Sequence, residues 1–308
     1  MYMRRAAIPL IVFLFFTAMS VATPPEKIPI ILDTDIGTDV DDAFALALIL
    51  RSPELGLLGV TTVSGDTQAR ARLAAKMLWE AGRPDVPVAA GEPGKPLPIE
   101  QTRWAEGFTS ASILAPRAVD FLRAEIDRRP GELTLVPIGP LTNVAALLKQ
   151  DPGVAKKIKL IVMMGGSIAR GYGKDPKPTA EYNIAQDPEA AQAVFSSGVP
   201  ILMVPLDVTA MLQLDEAARH RIFTRLTPLT NALTLLYHLW NQPTPTLFDP
   251  MAVAMLLEPG LCETQELAIE VDAKGFTRAV EGKQSNAAVA LKTDAARFLG
   301  FYLRRVAP

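Results

Sequence analysis

The chain has 308 residues, with 31 lysines and arginines against 33 aspartates and glutamates, and 49% of it is apolar. That is enough for one large α/β domain, or two small ones, with a substantial core. A formal charge of −2 excludes the basic footprint of a nucleic-acid-binding protein. Two histidines and one cysteine exclude a histidine-rich metal site and an intrachain disulfide.

The first 22 residues stand apart. Arg4 and Arg5 precede an almost unbroken apolar run over 8–21, and Ser20 and Ala22 are small. This is the pattern of a signal peptide cleaved after Ala22. The rival is an uncleaved anchor, but the run is shorter than the ~20 residues a spanning helix needs. A periplasmic or secreted chain with no stable membrane association after cleavage is expected.

From residue 24 onward, short β-branched runs alternate with longer amphipathic ones. Strands are predicted over 28–32, 57–63, 86–89, 133–138, 158–163 and 201–204, with helices over 41–51, 67–81, 112–128, 141–149 and 188–195. Segments 91–110 and 165–179 are rich in glycine and proline and read as loops. Segment 215–258 is mostly helical with a break at 242–245, and from 266 antiparallel strands precede a final helix over 295–304. The alternation predicts a single α/β domain over 24–308: a mostly parallel, Rossmann-related central sheet flanked by helices.

Five aspartates fall within ten residues where the first strand gives way to the first helix: Asp33, Asp35, Asp39, Asp41 and Asp42. Like charges this close need a cation or raised pKa values. Carboxylate oxygens suit a hard divalent cation, and the carboxyl end of a parallel strand is where open α/β sheets build their sites. Asp33 and Asp35, two apart, would point the same way if both lay on the strand. The alternative is that Asp39 or Asp41 caps the helix and the others are solvated. An EF-hand is excluded, since its sixth and twelfth positions would be Thr38 and Phe44. An Asp-x-Asp after a strand also opens haloacid-dehalogenase-like phosphoryl transferases, although Gly37 departs from that pattern.

Other predicted strand ends carry polar residues that could converge on the same cleft. They are Asp66 after Ser64-Gly65, Asn143 after Gly139, the Ile138 carbonyl itself, Met164, and Glu181 with Asn183 beyond the glycine loop. Glu181 and Asn183 suit a polyol, whereas Thr142, Asn143 and Asp249 have ordinary readings as helix caps.

Together these segments resemble the inosine-uridine-preferring nucleoside hydrolases. The resemblance covers Leu32-Asp-Thr-Asp-Ile-Gly-Thr-Asp-Val-Asp-Asp-Ala43, Val60-Thr-Thr-Val-Ser-Gly-Asp66, Val136-Pro-Ile-Gly-Pro-Leu-Thr-Asn143, Met164-Gly-Gly166, Ala180-Glu-Tyr-Asn183, Asp187-Pro-Glu-Ala-Ala191 and Phe248-Asp-Pro250. It implies a nucleoside-hydrolase-like fold and Ca²⁺-dependent cleavage of the N-glycosidic bond of a small-molecule ribonucleoside. It implies Asp35, Asp42, the Ile138 carbonyl and Asp249 as Ca²⁺ ligands, and Asp35 as general base on the attacking water. Asp41, Glu181 and Asn183 would bind sugar hydroxyls, Met164 would lie against the ribose, and a homodimer or homotetramer would form.

Four departures from the family pattern stand out. The acidic loop is two residues longer than the common form, leaving Asp39 without a counterpart. Asp66 stands where many members have asparagine beside the ribose. Phe248 and Ala210 occupy places where histidines are frequent near the leaving base. Trp240 could stack on a nucleobase, with Asn241 and His238 as further candidates near it and helix packing as the alternative. A nucleoside-binding protein with little turnover is the reading from another class.

Overall fold

The computed structural model describes residues 27–308 apart from residue 116. Residues 1–22, where a signal peptide is expected, lie outside the described residues. Among them, no helix is long and apolar enough to cross a membrane.

Among the described residues ten strands form: β1 Ile28–Thr34, β2 Leu55–Thr62, β3 Val88–Ala90, β4 Thr134–Pro137, β5 Leu160–Met164, β6 Ile201–Val204, β7 Cys262–Leu267, β8 Ile269–Val271, β9 Thr277–Ala279 and β10 Ala287–Thr293. Eight of them make one sheet in the order β3-β2-β1-β4-β5-β6-β10-β7, and β8 and β9 form a separate hairpin. Every neighbour pair in the large sheet is parallel except β10 with β7.

Period-two alternation decides what each face buries. On β1, Ile30 and Leu32 join one apolar cluster and Ile31 the other. On β5, Val162 and Met164 face the first cluster, Ile161 and Met163 the second. Helices Asp41–Leu50, Thr67–Glu80, Phe248–Leu257 and Ala295–Val306 fill the first side, and Ala118–Arg128, Thr142–Gln150 and Pro188–Phe195 the second. Burial on both faces accounts for the near-continuous apolar runs of the central strands.

Two expectations are corrected. The helix predicted over 112–128 starts only at Ala118, because the Val88 amide donates to Ser112 O at 2.8 Å and the Leu114 amide to Val88 O at 2.8 Å, which ties this stretch to the edge strand. The C-terminal strands are not purely antiparallel, since β10 runs parallel to β6 and extends the main sheet.

β1 has β2 on one side and β4 on the other. Chain direction across the sheet reverses between β1 and β4, so their carboxyl ends flank the switch-point crevice. Helix Asp41–Leu50, which leaves that crevice, is locked by the C-terminal helix: the buried Tyr302 hydroxyl donates to Phe44 O at 3.0 Å. Replacing Tyr302 with Phe removes one buried hydrogen bond worth about 1 kcal/mol. A thermal melt is expected to show Tm lower by about 2–4 °C for a chain of this size, with secondary structure unchanged.

Candidate active site

The acidic loop leaves β1 at Thr34 and turns at Gly37, whose φ of +115° is one that side-chain-bearing residues rarely adopt. The strand alternation ends there, so Asp33 and Asp35 do not share a direction. The Asp33 carboxylate points to the other face, accepting from Thr61 Oγ1 at 2.6 Å and Asn143 Nδ2 at 2.7 Å. Asp35 faces the crevice. Its carboxylate packs so closely on Gly139 that a Cβ there would sit 2.7 Å from Oδ1, which is why glycine follows Ile138 at the end of β4.

A cavity of about 300 Å³ opens at this point. It is lined by Asp35, Asp39, Asp41, Asp42, Ile138, Met164, Glu181, Asn183, Trp240 and Asp249, all singled out from the sequence, and also by Thr38, Tyr172, Tyr182 and Phe248. Five expected residues are not among them: Asn143, which donates to Asp33 as described, and four others. Asp33 lies beneath the site as described. Asp66 is exposed and caps helix Thr67–Glu80, accepting from the Ala69 amide at 2.9 Å. His238 is exposed in a separate groove with His220 and Phe223. Asn241 is the exposed left-handed cap of helix Pro228–Trp240.

Two helix N-termini meet in the cavity floor. Asp41 and Asp42 occupy the first turn of helix Asp41–Leu50, and Asp249 the first turn of Phe248–Leu257. Neither Asp39 nor Asp41 is the cap, because Val40 holds that position without a side-chain bond. Positive helix ends favour carboxylates, and the Asp249 amide donates to Asp41 Oδ2 at 3.2 Å. Oxygens of Asp41, Asp42 and Asp249 all lie within 4.8 Å of one another. Asp35 stands outside this closest group, although it lines the same cavity.

Glu181 and Asn183 form the opposite wall. The Glu181 carboxylate caps the short helix Tyr182–Gln186, accepting from the amides of Asn183 at 3.0 Å and Gly166 at 2.9 Å. The Asn183 side-chain Nδ2 donates to Ile138 O at 3.1 Å and Met164 O at 3.2 Å. A carbonyl has two lone pairs, so Ile138 O keeps one for a ligand. Tyr172 packs edge-on against Phe248 with ring centroids 5.9 Å apart, making an aromatic rim with Tyr182 and Trp240.

Six carboxyl groups and no lysine, arginine or histidine line the cavity. Burial is the first cause of raised pKa values throughout. Asp35 rises to about 6 and Glu181 to about 7, while Asp33 beneath them reaches about 7. Asp41, Asp42 and Asp249 lie well above the usual carboxylate range through burial and then mutual repulsion. Such a set fits a hard divalent cation, which prefers several convergent oxygens.

The family model described as inosine-uridine preferring nucleoside hydrolase matches residues 30–300. The chain belongs to this nucleoside hydrolase family. It is 34% identical over 311 residues to a pyrimidine-specific ribonucleoside hydrolase, RihA, of Salmonella gallinarum, covering 91% of this chain and 98% of that protein. A plant nucleoside hydrolase, PpNRh1, superposes with a TM-score of 0.80 at 26% identity, covering 92% of this chain and 99% of that one. A purine-preferring ribonucleoside hydrolase from Gardnerella vaginalis gives 0.77 at 28% identity, covering 91% and 98%. The single α/β domain and its mostly parallel sheet are those of nucleoside hydrolases, and the family's metal dependence accords with the acidic floor.

The sequence reading missed Tyr172, Tyr182 and Arg70. Tyr172 lies in a glycine-rich loop where periodicity says nothing. Arg70 had a signal: it sits four residues before Ala74 and seven before Met77, on the buried stripe of its helix.

The raised carboxyl groups fix the sign of one pH effect. Each holds its proton more tightly folded than unfolded, so its stabilising contribution is full below about pH 4 and is lost as pH rises through its folded pKa. For Asp33, Asp35 and Glu181 that loss runs from about pH 4 to beyond 7. A divalent cation bound to the ionised oxygens offsets the loss. The difference in Tm between cation-loaded and chelated protein is therefore expected to be several degrees larger at about pH 8 than at about pH 5, read by scanning fluorimetry.

Proposed function

We propose that the cavity performs Ca²⁺-dependent hydrolysis of the N-glycosidic bond of ribonucleosides, releasing free base and ribose. The observation that carries this reading is the convergence of Asp41, Asp42 and Asp249 on one point, beside Asp35 and opposite Glu181 and Asn183 in one cavity. Asp41, Asp42 and Asp249 would hold the cation, with Asp35 and the free lone pair of Ile138 O beside them. Calcium, with six to eight oxygen ligands and loose geometry, suits this uneven donor set better than magnesium. When bound, the cation supplies positive charge that orients sugar hydroxyls and makes water more acidic.

The chain's own groups account for the remaining chemistry. Water adds to C1′ as the C1′–N bond breaks. One water proton passes to Asp35, and the bond's electron pair leaves with the base. Asp35 lines the cavity beside the three converging carboxylates, where it can take a proton from a water held there, the position a general base needs. The surrounding carboxylates stabilise the positive charge that grows on the ribosyl ring. Glu181 and Asn183, fixed by their backbone partners, would bind hydroxyls, and Met164 would pack against the ring. Trp240, Tyr172 and Phe248 would bracket the base.

The leading peptide would place the mature chain in the periplasm or outside the cell, and the family resemblance supports a homodimer or homotetramer. Freed bases would then be available for salvage.

Ribose release from inosine and uridine is expected, and is expected to vanish on calcium chelation. Asp35→Ala should lower kcat by about 10²–10⁴-fold with the circular dichroism spectrum unchanged. Near-normal turnover by that variant would remove Asp35 as the base. Because no histidine lines the cavity, kcat is expected to rise steeply with leaving-group acidity, so a nitrophenyl riboside should be cleaved faster than inosine. Equal rates would show that the protein supplies an acid to the base.

A further inference from the structure

Helix Thr67–Glu80 begins behind the acidic loop, and its Arg70 side chain is completely buried. Sealing a guanidinium from water is costly unless its donors are used. Its partners here are backbone carbonyls on two separate segments. Nε donates to Ser64 O at 2.8 Å, and one terminal nitrogen donates to Ile36 O at 3.0 Å and to Asp35 O. The other terminal nitrogen is buried without a partner.

The segments joined in this way are irregular. Ser64 has a φ of +69° and Gly37 one of +115°, so neither turn belongs to a strand or helix. Left-handed backbone at a residue other than glycine costs free energy and persists only where neighbours hold it. The anchor itself is fixed. Asp66 caps the helix through the Ala69 amide, and the Arg70 amide donates to Asp66 O at 3.1 Å. The aspartate expected beside the sugar thus secures the turn that carries Arg70. Only arginine offers a planar fork of five donors able to span both segments, whereas lysine is a point charge on a flexible stem.

We infer that Arg70 is a positioning residue of the hydrolase: its fork joins the 35–36 and 64 carbonyls and thereby sets where the Asp35 carboxylate stands in the cavity. The inference rests on the reading of Asp35 as the base.

The test compares Arg70→Lys, which keeps the charge and loses the fork, with wild type and with Asp35→Ala. Melting temperature and circular dichroism report folding, calorimetric titration reports Ca²⁺ affinity, and ribose release gives kcat and KM. Arg70→Lys is expected to fold, to bind Ca²⁺ within about threefold of wild type and to keep KM within about threefold, because Asp41, Asp42 and Asp249 are untouched. Its kcat is expected to fall about 10²-fold, the scale of an ångström-sized misplacement of a reacting group. Wild-type kcat in Arg70→Lys overturns the inference. If Lys does not fold, Arg70→Gln, which keeps a planar donor, replaces it in the comparison. Global unfolding of both also overturns it, since the role would then be stability of the whole fold. Wild-type turnover by Asp35→Ala is a separate result, which removes the base and not the loop geometry.

Discussion

Mutual repulsion among largely buried carboxylates governs this molecule. Asp41, Asp42 and Asp249 are nearly inaccessible to solvent, and their oxygens converge. Burial of an ionised carboxylate is costly, and a second one nearby compounds the cost. The fold meets this with two helix N-termini aimed at the cluster, a buried arginine behind it and backbone amides around Glu181. A divalent cation held by these oxygens would complete the compensation. The same unfavourable charge density makes the cavity suited to a growing sugar cation, so the destabilising feature and the catalytic one are a single arrangement.

Much of this was legible because each signal was local. Apolar runs flanked by turn residues gave the central strands, and the helix over Pro188–Phe195 and the strand over Ile201–Val204 were read to the residue. Asp35, Asp39, Asp41 and Asp42 follow β1, Ile138 follows β4 and Met164 ends β5, so the parallel sheet brings this part of the lining together. Ordered matches to one family then tied together segments that spacing alone left separate.

The misses have particular causes. Asp33 and Asp35 part company because the pleat stops at Thr34, one residue before the second of them. Asp66 has the right sequence neighbours for the sugar, but a helix start beside it takes its carboxylate first. The Ser112–Leu114 stretch has helical composition, yet pairing with Val88 outweighs that weak propensity. Tyr172 reaches the rim through a loop whose course depends on distant contacts, among them the Asp207 carboxylate, which accepts from the amides of Ile168 and Ala169 at 2.8 Å.

The link between Asp249 and Asp41 spans 208 positions of sequence. A ribosome extrudes the five clustered aspartates long before their distant partner exists. Until then they sit in water, where their repulsion is weak. The repulsion is greatest once helix Phe248–Leu257 docks against helix Asp41–Leu50, and the same docking buries its apolar residues Met251, Ala252, Val253 and Ala254. The step that brings the charges together is therefore also the one that hides apolar surface, and the second offsets the first.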